Sequence, residues 1–164
     1  MIKKRWVRWV LEGAVIVGLI LALQHCRTRD TVSGQAPEIS ARLLDGTPVS
    51  LAEFEGQPLL LQFWSTWCPV CSLEQGSIDS IAQDYAVLSV AMDDSSADEI
   101  QRWMAREEVS YRVIHDPSGN ISYRYGVRAV PTSMIIDASG EIRFVEVGYT
   151  TELGLRLRLW WVDR

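Results

Sequence analysis

Two cysteines three positions apart, Cys68 and Cys71, mark the point where a predicted buried strand gives way to a helix. The largely apolar run from Leu59 to Trp64 is typical of a strand covered on both faces. After Cys71, Ile78 and Ile81 recur at helical spacing. Because a helix N-terminus stabilises a thiolate and one turn brings the second sulfur alongside, this pair can form and break a disulfide. The pattern predicts a thiol-disulfide oxidoreductase.

A Cys-x-x-Cys pair can also be half of a zinc site, which needs two further ligands. The chain offers only Cys26, His25 and His115 in addition, with no second pair at ligand spacing. We therefore predict no structural metal and no cofactor beyond the cysteine pair itself. Two thiolates are enough to hold Cu(I), so a copper-binding module without redox turnover stays open as the alternative. A static disulfide is disfavoured, because so short a loop at a helix start suits exchange better than stapling.

Length and charge limit the remaining classes of function. The 164 residues are enough for one domain with a full core and short for two. Six of the 16 basic residues and two of the 21 acidic residues precede residue 37, which leaves 10 basic and 19 acidic groups after it. The resulting formal charge of −9 would repel nucleic acid, so we expect no nucleic-acid partner.

The N-terminal region is predicted to be a membrane anchor. The stretch Trp6 to Leu23 is largely apolar, and positions 13 to 23 carry no charge, whereas Lys and Arg are concentrated before them. This distribution places the N-terminus in the cytoplasm and the rest of the chain outside. A cleaved signal peptide is the competing interpretation, but no pair of small residues follows the apolar run to form a cleavage site. We predict a cytoplasmic N-terminus and transmembrane helix over 1–26, a linker over 27–36 and a domain over 37–164.

The domain alternates strands with helices. Hairpins are predicted around Asp45-Gly46-Thr47 and Ala138-Ser139-Gly140, and Ser96 with Glu99 forms a capping box at the start of a helix. A closing helix is predicted from Glu152 to Trp161, with a periodicity that fits packing on the sheet. This order predicts an α/β fold with a mixed sheet sandwiched by helices. Without its anchor, we expect the domain to be a monomer.

The landmarks of this domain resemble the thioredoxin-like fold over roughly residues 37 to 150. The resemblance is carried by Asp45-Gly46, by the run from Phe63 to Cys71, and by Tyr125 to Thr132 before Ile135-Ile136-Asp137. Within that fold, the chain is similar to the membrane-tethered, extracytoplasmic group of TlpA-type and cytochrome c maturation thioredoxins. The Arg- and Trp-rich N-terminus and the segment from Gly148 to Trp160 further resemble the thioredoxin-like member of the bacterial suppressor-of-copper-sensitivity system.

The resemblance and the helix start together give roles to the cysteines and their neighbours. Cys68, nearer the helix start, is the expected nucleophile with a lowered pKa and should be the exposed thiol, while Cys71 is the buried resolving thiol. Pro69 fits the first helical turn, where its missing N–H is no loss. Trp67 either offers an apolar surface to substrate or simply packs in the fold.

The resemblance also assigns a substrate-binding element and a proton acceptor. Pro131 matches the family's cis-proline opposite the cysteine pair, and Val130 would offer backbone groups to a bound peptide. Gln62 stands where thioredoxin keeps a buried acid, and it cannot take a proton. Glu74 matches a glutamate of the TlpA-type group and could replace that acid if burial raises its pKa, but it could equally be a solvated helix carboxylate. Gln75-Gly76 follows it where the group usually has a proline, which leaves the course of the helix open.

Partners and direction of electron flow follow from the same resemblance. Pro-Val between the cysteines lacks the His that stabilises the thiolate in strong oxidants, which favours a reductase or isomerase of client proteins. The implied reductant is a membrane electron-transfer protein, and the implied location is the bacterial inner membrane with a single span and the catalytic domain in the periplasm. A thiol peroxidase shares the fold, but it needs a Thr and an Arg at its cysteine, and Thr66 is the only nearby Thr candidate.

Overall fold

The computed structural model describes residues 31–164 and, before them, Trp9, Glu12, Gly13, Val15 and Gly18, which are helical. Most of the predicted anchor over 1–26 and the start of the predicted linker lie outside these described residues. Among the residues that are described, no helix combines the length and the apolar character that a bilayer crossing requires.

The described chain alternates strands and helices as predicted. The strands are β1 (Gly34–Gln35), β2 (Ser40–Arg42), β3 (Pro48–Ser50), β4 (Leu59–Trp64), β5 (Ala86–Ala91), β6 (Arg112–His115), β7 (Thr132–Ile136) and β8 (Glu141–Val147). The helices are α1 (Pro69–Ile81), α2 (Ala97–Arg106), α3 (Asn120–Arg124) and α4 (Glu152–Val162), with a 3-10 turn at Leu51–Phe54.

Six strands form one mixed sheet in the order β1-β8-β7-β4-β5-β6. β4 pairs in parallel with β5 and antiparallel with β7, so the strand that leads into the cysteines lies inside the sheet. All six residues of β4 are buried, which confirms the prediction of a strand covered on both faces. β2 and β3 form the separate hairpin predicted around Asp45.

The sheet separates two apolar cores. One face is covered by α1, α2 and α4, whose buried side chains include Ile78, Ile100 and Leu155. The other face is covered by the β2–β3 hairpin, the 3-10 turn and α3. The predicted mixed sheet flanked by helices is confirmed, and both cysteines belong to the core beneath α1.

The helices begin where the sequence supplies caps. Ser96 and Glu99 form the predicted capping box at α2. The short helix α3 has Gly119 at its N-cap, which has no side chain to offer. The buried carboxylate of Asp116 instead accepts from the backbone N–H groups of Ile121 and Ser122 at 3.2 and 2.9 Å. A helix start can therefore be capped from outside the usual position when the cap itself is glycine.

Two elements differ from the sequence expectation. β1 pairs with β8 through Gly34 and Gln35, so the predicted linker over 27–36 overlaps the first strand of the sheet. The closing helix packs on the sheet through Leu155 and Leu159, but four of its large apolar side chains face outward: Leu153, Leu157, Trp160 and Trp161. The expectation that its periodicity is fully explained by packing is therefore wrong, because the helix is apolar on two opposite faces.

Candidate active site

The cysteine pair occupies the junction between β4 and α1. Cys68 is the N-cap of α1 and Pro69 its first helical residue. The two cysteines form a disulfide with their Cα atoms 5.2 Å apart. The backbone N–H of Cys71 donates to the Cys68 sulfur at 3.1 Å, in the place where a capping oxygen usually accepts. The sulfur of Cys68 therefore lies among the free N–H groups of a helix start, which favour negative charge.

The exposure of the two sulfur-bearing residues differs less than expected. Cys68 is 4 % exposed and Cys71 is fully buried. Cys68 is the more accessible of the two, as predicted, but in this disulfide-bonded form it is itself buried rather than exposed. The loop that contains Val130 lies against the Cys68 sulfur.

The loop before β7 faces the disulfide. The peptide bond between Val130 and Pro131 is cis. The Val130 carbonyl oxygen lies 3.7 Å from the Cys68 sulfur. Pro131 is buried and Val130 half-buried, and the Thr132 hydroxyl donates to the Ala129 carbonyl at 2.8 Å across the loop. The fold thus brings Val130 and Cys68 together although 62 positions separate them in the chain.

The residues next to Cys68 in the chain expose apolar side chains. Trp67 is 66 % exposed, and Pro69 and Val70 are exposed beside it on the first turn of α1. Of the two interpretations left open for Trp67, internal packing is excluded by this exposure. An exposed indole beside a reactive sulfur provides apolar area for a partner.

Glu74 is fully buried one turn after Cys71, so it is not a solvated helix carboxylate. Its carboxylate accepts a hydrogen bond from the backbone N–H of Thr150, in the segment between β8 and α4. Burial raises the pKa of Glu74 to about 7, against the Thr150 N–H and the Gln62 amide, which both lower it. A carboxyl with this pKa can both take up and release a proton near neutral pH.

Gln62 and the helix around Glu74 complete the polar centre. Gln62 is fully buried on β4, and neither of its side-chain polar atoms has a hydrogen-bond partner of normal geometry among the described residues. The same holds for the second oxygen of Glu74. α1 continues without a break through Gln75 and Gly76, so the helix keeps a regular course where related proteins usually have a proline. The Gln75 side chain accepts from the Tyr111 hydroxyl.

Two residues at the site were not singled out from the sequence. Thr150 supplies the backbone donor to Glu74, and the Gly148 N–H donates to the Pro131 carbonyl at 2.8 Å. Both interactions use backbone groups, which leave no signature in residue type. The segment after β8 therefore connects the Pro131 loop to Glu74.

The surroundings of Cys68 do not match a peroxide-reducing site. The Thr66 hydroxyl donates to the Asp93 carboxylate, which also accepts from the Thr66 backbone N–H at 2.7 Å. The Thr66 hydroxyl is therefore directed at Asp93 and not at a peroxide beside Cys68, as a peroxidase would require. Within the part of the chain that the structure describes, no cluster of three or more His, Cys, Asp or Glu side chains could hold a metal ion.

The fold and the cysteine pair define a thioredoxin-like thiol-disulfide oxidoreductase. Residues 32–145 match the AhpC/TSA family, and the chain belongs to that family. Thiol-disulfide oxidoreductase ResA of Halalkalibacterium halodurans is 28 % identical over 158 residues, covering 92 % of this chain and 90 % of ResA. Thioredoxin-like protein YneN of Bacillus subtilis is 30 % identical over 131 residues, covering 76 % of each chain.

A solved structure supports the same placement. The crystal structure of the pneumococcal exposed lipoprotein thioredoxin Etrx1 from Streptococcus pneumoniae superposes with a TM-score of 0.67 and 28 % identity. The match covers 76 % of this chain and 99 % of Etrx1. The similarity therefore extends over essentially the whole domain of that relative and over most of this chain.

Proposed function

We propose that this protein reduces or isomerises disulfides of client proteins outside the cytoplasm through the Cys68–Cys71 pair. The observation that supports this most directly is the position of Cys68 at the N-cap of α1, facing the Val130 carbonyl at 3.7 Å. A client segment lying along the Val130 backbone would present its disulfide to the more accessible sulfur. Trp67 and Pro69 provide the apolar surface beside it.

The exchange proceeds in two balanced steps. In the reduced protein, the Cys68 thiolate attacks one sulfur of the client disulfide, which forms a mixed disulfide and releases the other client sulfur as a thiolate. Cys71 then loses its proton to Glu74 and attacks the Cys68 sulfur. This second step forms the Cys68–Cys71 disulfide and releases the second client thiolate. Two electrons pass to the client, and Glu74 returns its proton to solvent or product.

The reduced state has to be restored in an oxidising compartment. A membrane electron-transfer protein that delivers reducing equivalents from the cytoplasm is the reductant we propose. An N-terminal anchor over 1–26 in the bacterial inner membrane would hold the periplasmic domain close to that protein at a raised effective concentration. The description of the relative Etrx1 as an exposed lipoprotein supports a location outside the cytoplasm.

A narrower assignment rests on the ends of the chain. The Arg- and Trp-rich N-terminus and the segment from Gly148 to Trp160 support a place beside the TlpA-type proteins and the suppressor-of-copper-sensitivity system. In that assignment, the clients are proteins whose thiols are oxidised under copper or redox stress. Cu(I) binding by the two cysteines without turnover is the alternative function to be tested against it.

The function is tested by insulin reduction and by trapping. We expect the wild-type chain to reduce insulin disulfides with a dithiol as electron source. Cys71→Ala should accumulate covalent adducts with client proteins that are cleaved by a reductant, whereas Cys68→Ala should form almost none. Adducts trapped mainly through Cys71 would reject the assigned roles. Stoichiometric Cu(I) binding together with no insulin reduction would replace the proposal by the copper-binding alternative.

The anchor is tested by fractionation of cells that produce the full chain. We expect the mature protein to keep its N-terminus and to stay with the membrane pellet after washes with high salt and with carbonate. A soluble extracytoplasmic form that begins near residue 25 would show that the apolar segment is a cleaved signal peptide. That outcome would leave the proposed disulfide chemistry untouched.

A further inference from the structure

One face of α4 is apolar and uncovered. Leu155 and Leu159 point into the core. On the opposite side, four large apolar side chains are between 43 % and 68 % exposed, and we call them the outer face of α4: Leu153, Leu157, Trp160 and Trp161. Their spacing of four, three and one residues puts them on one stripe of the helix. A helix that is apolar on both sides is typical of a position between the protein core and a second apolar phase.

The charged residues of α4 lie beside this face or at its end. Arg156 binds Glu152 and Asp84 at 2.8 and 2.6 Å, and Arg158 binds Glu146 at 2.6 Å. These pairs turn both guanidinium groups toward the body of the domain. Arg164 lies at the end of the outer face, with its guanidinium carbon 3.6 Å from the centre of the Trp160 ring. An apolar stripe that ends in tryptophan and arginine has the composition of a helix lying in a membrane interface.

The N-terminal segment joins the domain at the edge strand β1, which pairs with β8. Arg158 of α4 reaches Phe144 and Glu146 of the same strand β8. The chain enters on the other face of the sheet, where the Val32 backbone N–H donates to the Tyr125 carbonyl at 3.2 Å. Ten residues separate the end of the apolar run at Leu23 from Gly34, and they can span at most about 35 Å. A bilayer that holds positions 13 to 23 therefore lies within about 35 Å of β1, whose neighbour β8 is also contacted by α4.

We propose that the outer face of α4 lies on the surface of a phospholipid bilayer. This inference rests on the proposed membrane location. The four side chains offer roughly 400 to 500 Å² of accessible area, whereas a stable protein interface buries about 800 Å² on each partner. A second copy of this chain is therefore poorly matched to so narrow a stripe. A bilayer surface accepts it without a complementary partner, and its phosphates attract Arg164.

Tryptophan fluorescence tests the proposal on the full-length chain in vesicles of phosphatidylcholine and phosphatidylglycerol. The signal of Trp160 and Trp161 is isolated by subtracting the spectrum of the double variant Trp160→Phe, Trp161→Phe, which keeps the face apolar. We expect lipids brominated near the headgroup to quench this difference signal. Aqueous iodide should quench it much less with vesicles than without them. Flotation of the vesicles shows separately whether the chain is membrane-bound.

A second pair of variants removes the dependence on the tryptophans. Leu153→Gln with Leu157→Gln should restore iodide quenching of Trp160 and Trp161 and weaken quenching by the brominated lipids. Tyr123→Gln is the matched control, because Tyr123 is 84 % exposed but belongs to α3 on the other side of the sheet. It should change neither signal.

Each outcome decides the proposal. If the chain floats with the vesicles but iodide still quenches the difference signal, the α4 contact is overturned and the proposed membrane anchor is retained. A signal protected from iodide but not quenched by lipid would indicate a second copy or another protein, and it would also overturn the proposal. A chain that does not float would overturn both this contact and the proposed anchoring, whereas the disulfide exchange activity would be unaffected.

Discussion

Replacing Glu74 by Gln should remove one pH-dependent loss of stability. Burial raises the pKa of this carboxyl from 4.5 to about 7. Each pKa unit corresponds to about 1.4 kcal/mol, so the folded protein holds the proton more tightly than the unfolded chain by about 3 kcal/mol. The Gln variant has no proton to lose, and its amide oxygen can still accept from the Thr150 N–H.

The sign of the effect follows from which state releases the proton first. Well below pH 4.5 the Glu74 carboxyl is protonated in both states, and its contribution to stability is fully present. As the pH rises from 4.5 to about 7, the unfolded chain loses the proton while the folded protein keeps it, so the free energy of unfolding falls. Above that window the loss is complete.

The measurement is the unfolding of the oxidised full-length chain in mild detergent, for wild type and Glu74→Gln. Between about pH 4 and about pH 8, the advantage of the variant should grow by about 3 kcal/mol, which is a shift of about 10 °C in the midpoint. Glu99→Gln is the control, because the Ser96 backbone N–H lowers the pKa of the exposed Glu99 and its effect has the opposite sign. A Glu74 difference that stays flat across this range would refute the argument.

The same variant tests the proposed proton transfer. Resolution of a preformed mixed disulfide at Cys68 should slow near neutral pH in Glu74→Gln, because an amide cannot accept the proton of Cys71. The initial attack by Cys68 should change little. Unchanged resolution across pH would leave Glu74 as a buried carboxyl without a part in the exchange.

Two further predictions use matched pairs of residues. Trp67→Ala should slow the reduction of a protein disulfide by about tenfold, the loss expected for truncating an aromatic anchor, while reaction with a small disulfide is unchanged. Trp161→Ala is its control in detergent solution, because Trp161 is 67 % exposed but lies on α4; equal effects of the two would argue against a contact at Trp67. Asp116→Ala should lower the free energy of unfolding by about 2 to 4 kcal/mol in a denaturant titration, because it leaves buried donors at the start of α3 unpaired. The exposed Asp45→Ala should cost much less, and similar losses would contradict the capping role of Asp116.

The parts of the fold that were predictable are those encoded by local patterns. Each of these patterns determines the structure of its own few residues. They are the apolar run from Leu59 to Trp64, the capping box of Ser96 and Glu99, and the turn at Asp45. β1 could not be predicted in this way. Gly34 and Gln35 are polar or small, and they form a strand only because the edge of β8 is there to pair with them.

The candidate site was predictable in its residues and less so in their environments. The apolar run before the pair and the helical spacing after it placed Cys68 and Cys71 at a helix start. The pKa of Glu74 is raised by its burial in the folded domain and lowered by the Thr150 backbone N–H, which is 76 positions away, so no local residue pattern reports it. For α4, apolar residues lie on two faces of one helix, and periodicity cannot tell which face the sheet will cover.

The raised pKa of Glu74 both lowers the stability of the folded protein and supports the proposed role of Glu74 as a proton acceptor. A carboxyl with its ordinary pKa of 4.5 holds a proton too weakly to accept one readily from a thiol, whose ordinary pKa is about 8.5. Burial to a pKa of about 7 narrows that gap by about 2.5 units, which favours the transfer about 300-fold. The same shift is what destabilises the folded protein at neutral pH. A substitution that relieves the destabilisation must therefore also remove the proton acceptor, as expected where stability and activity oppose each other.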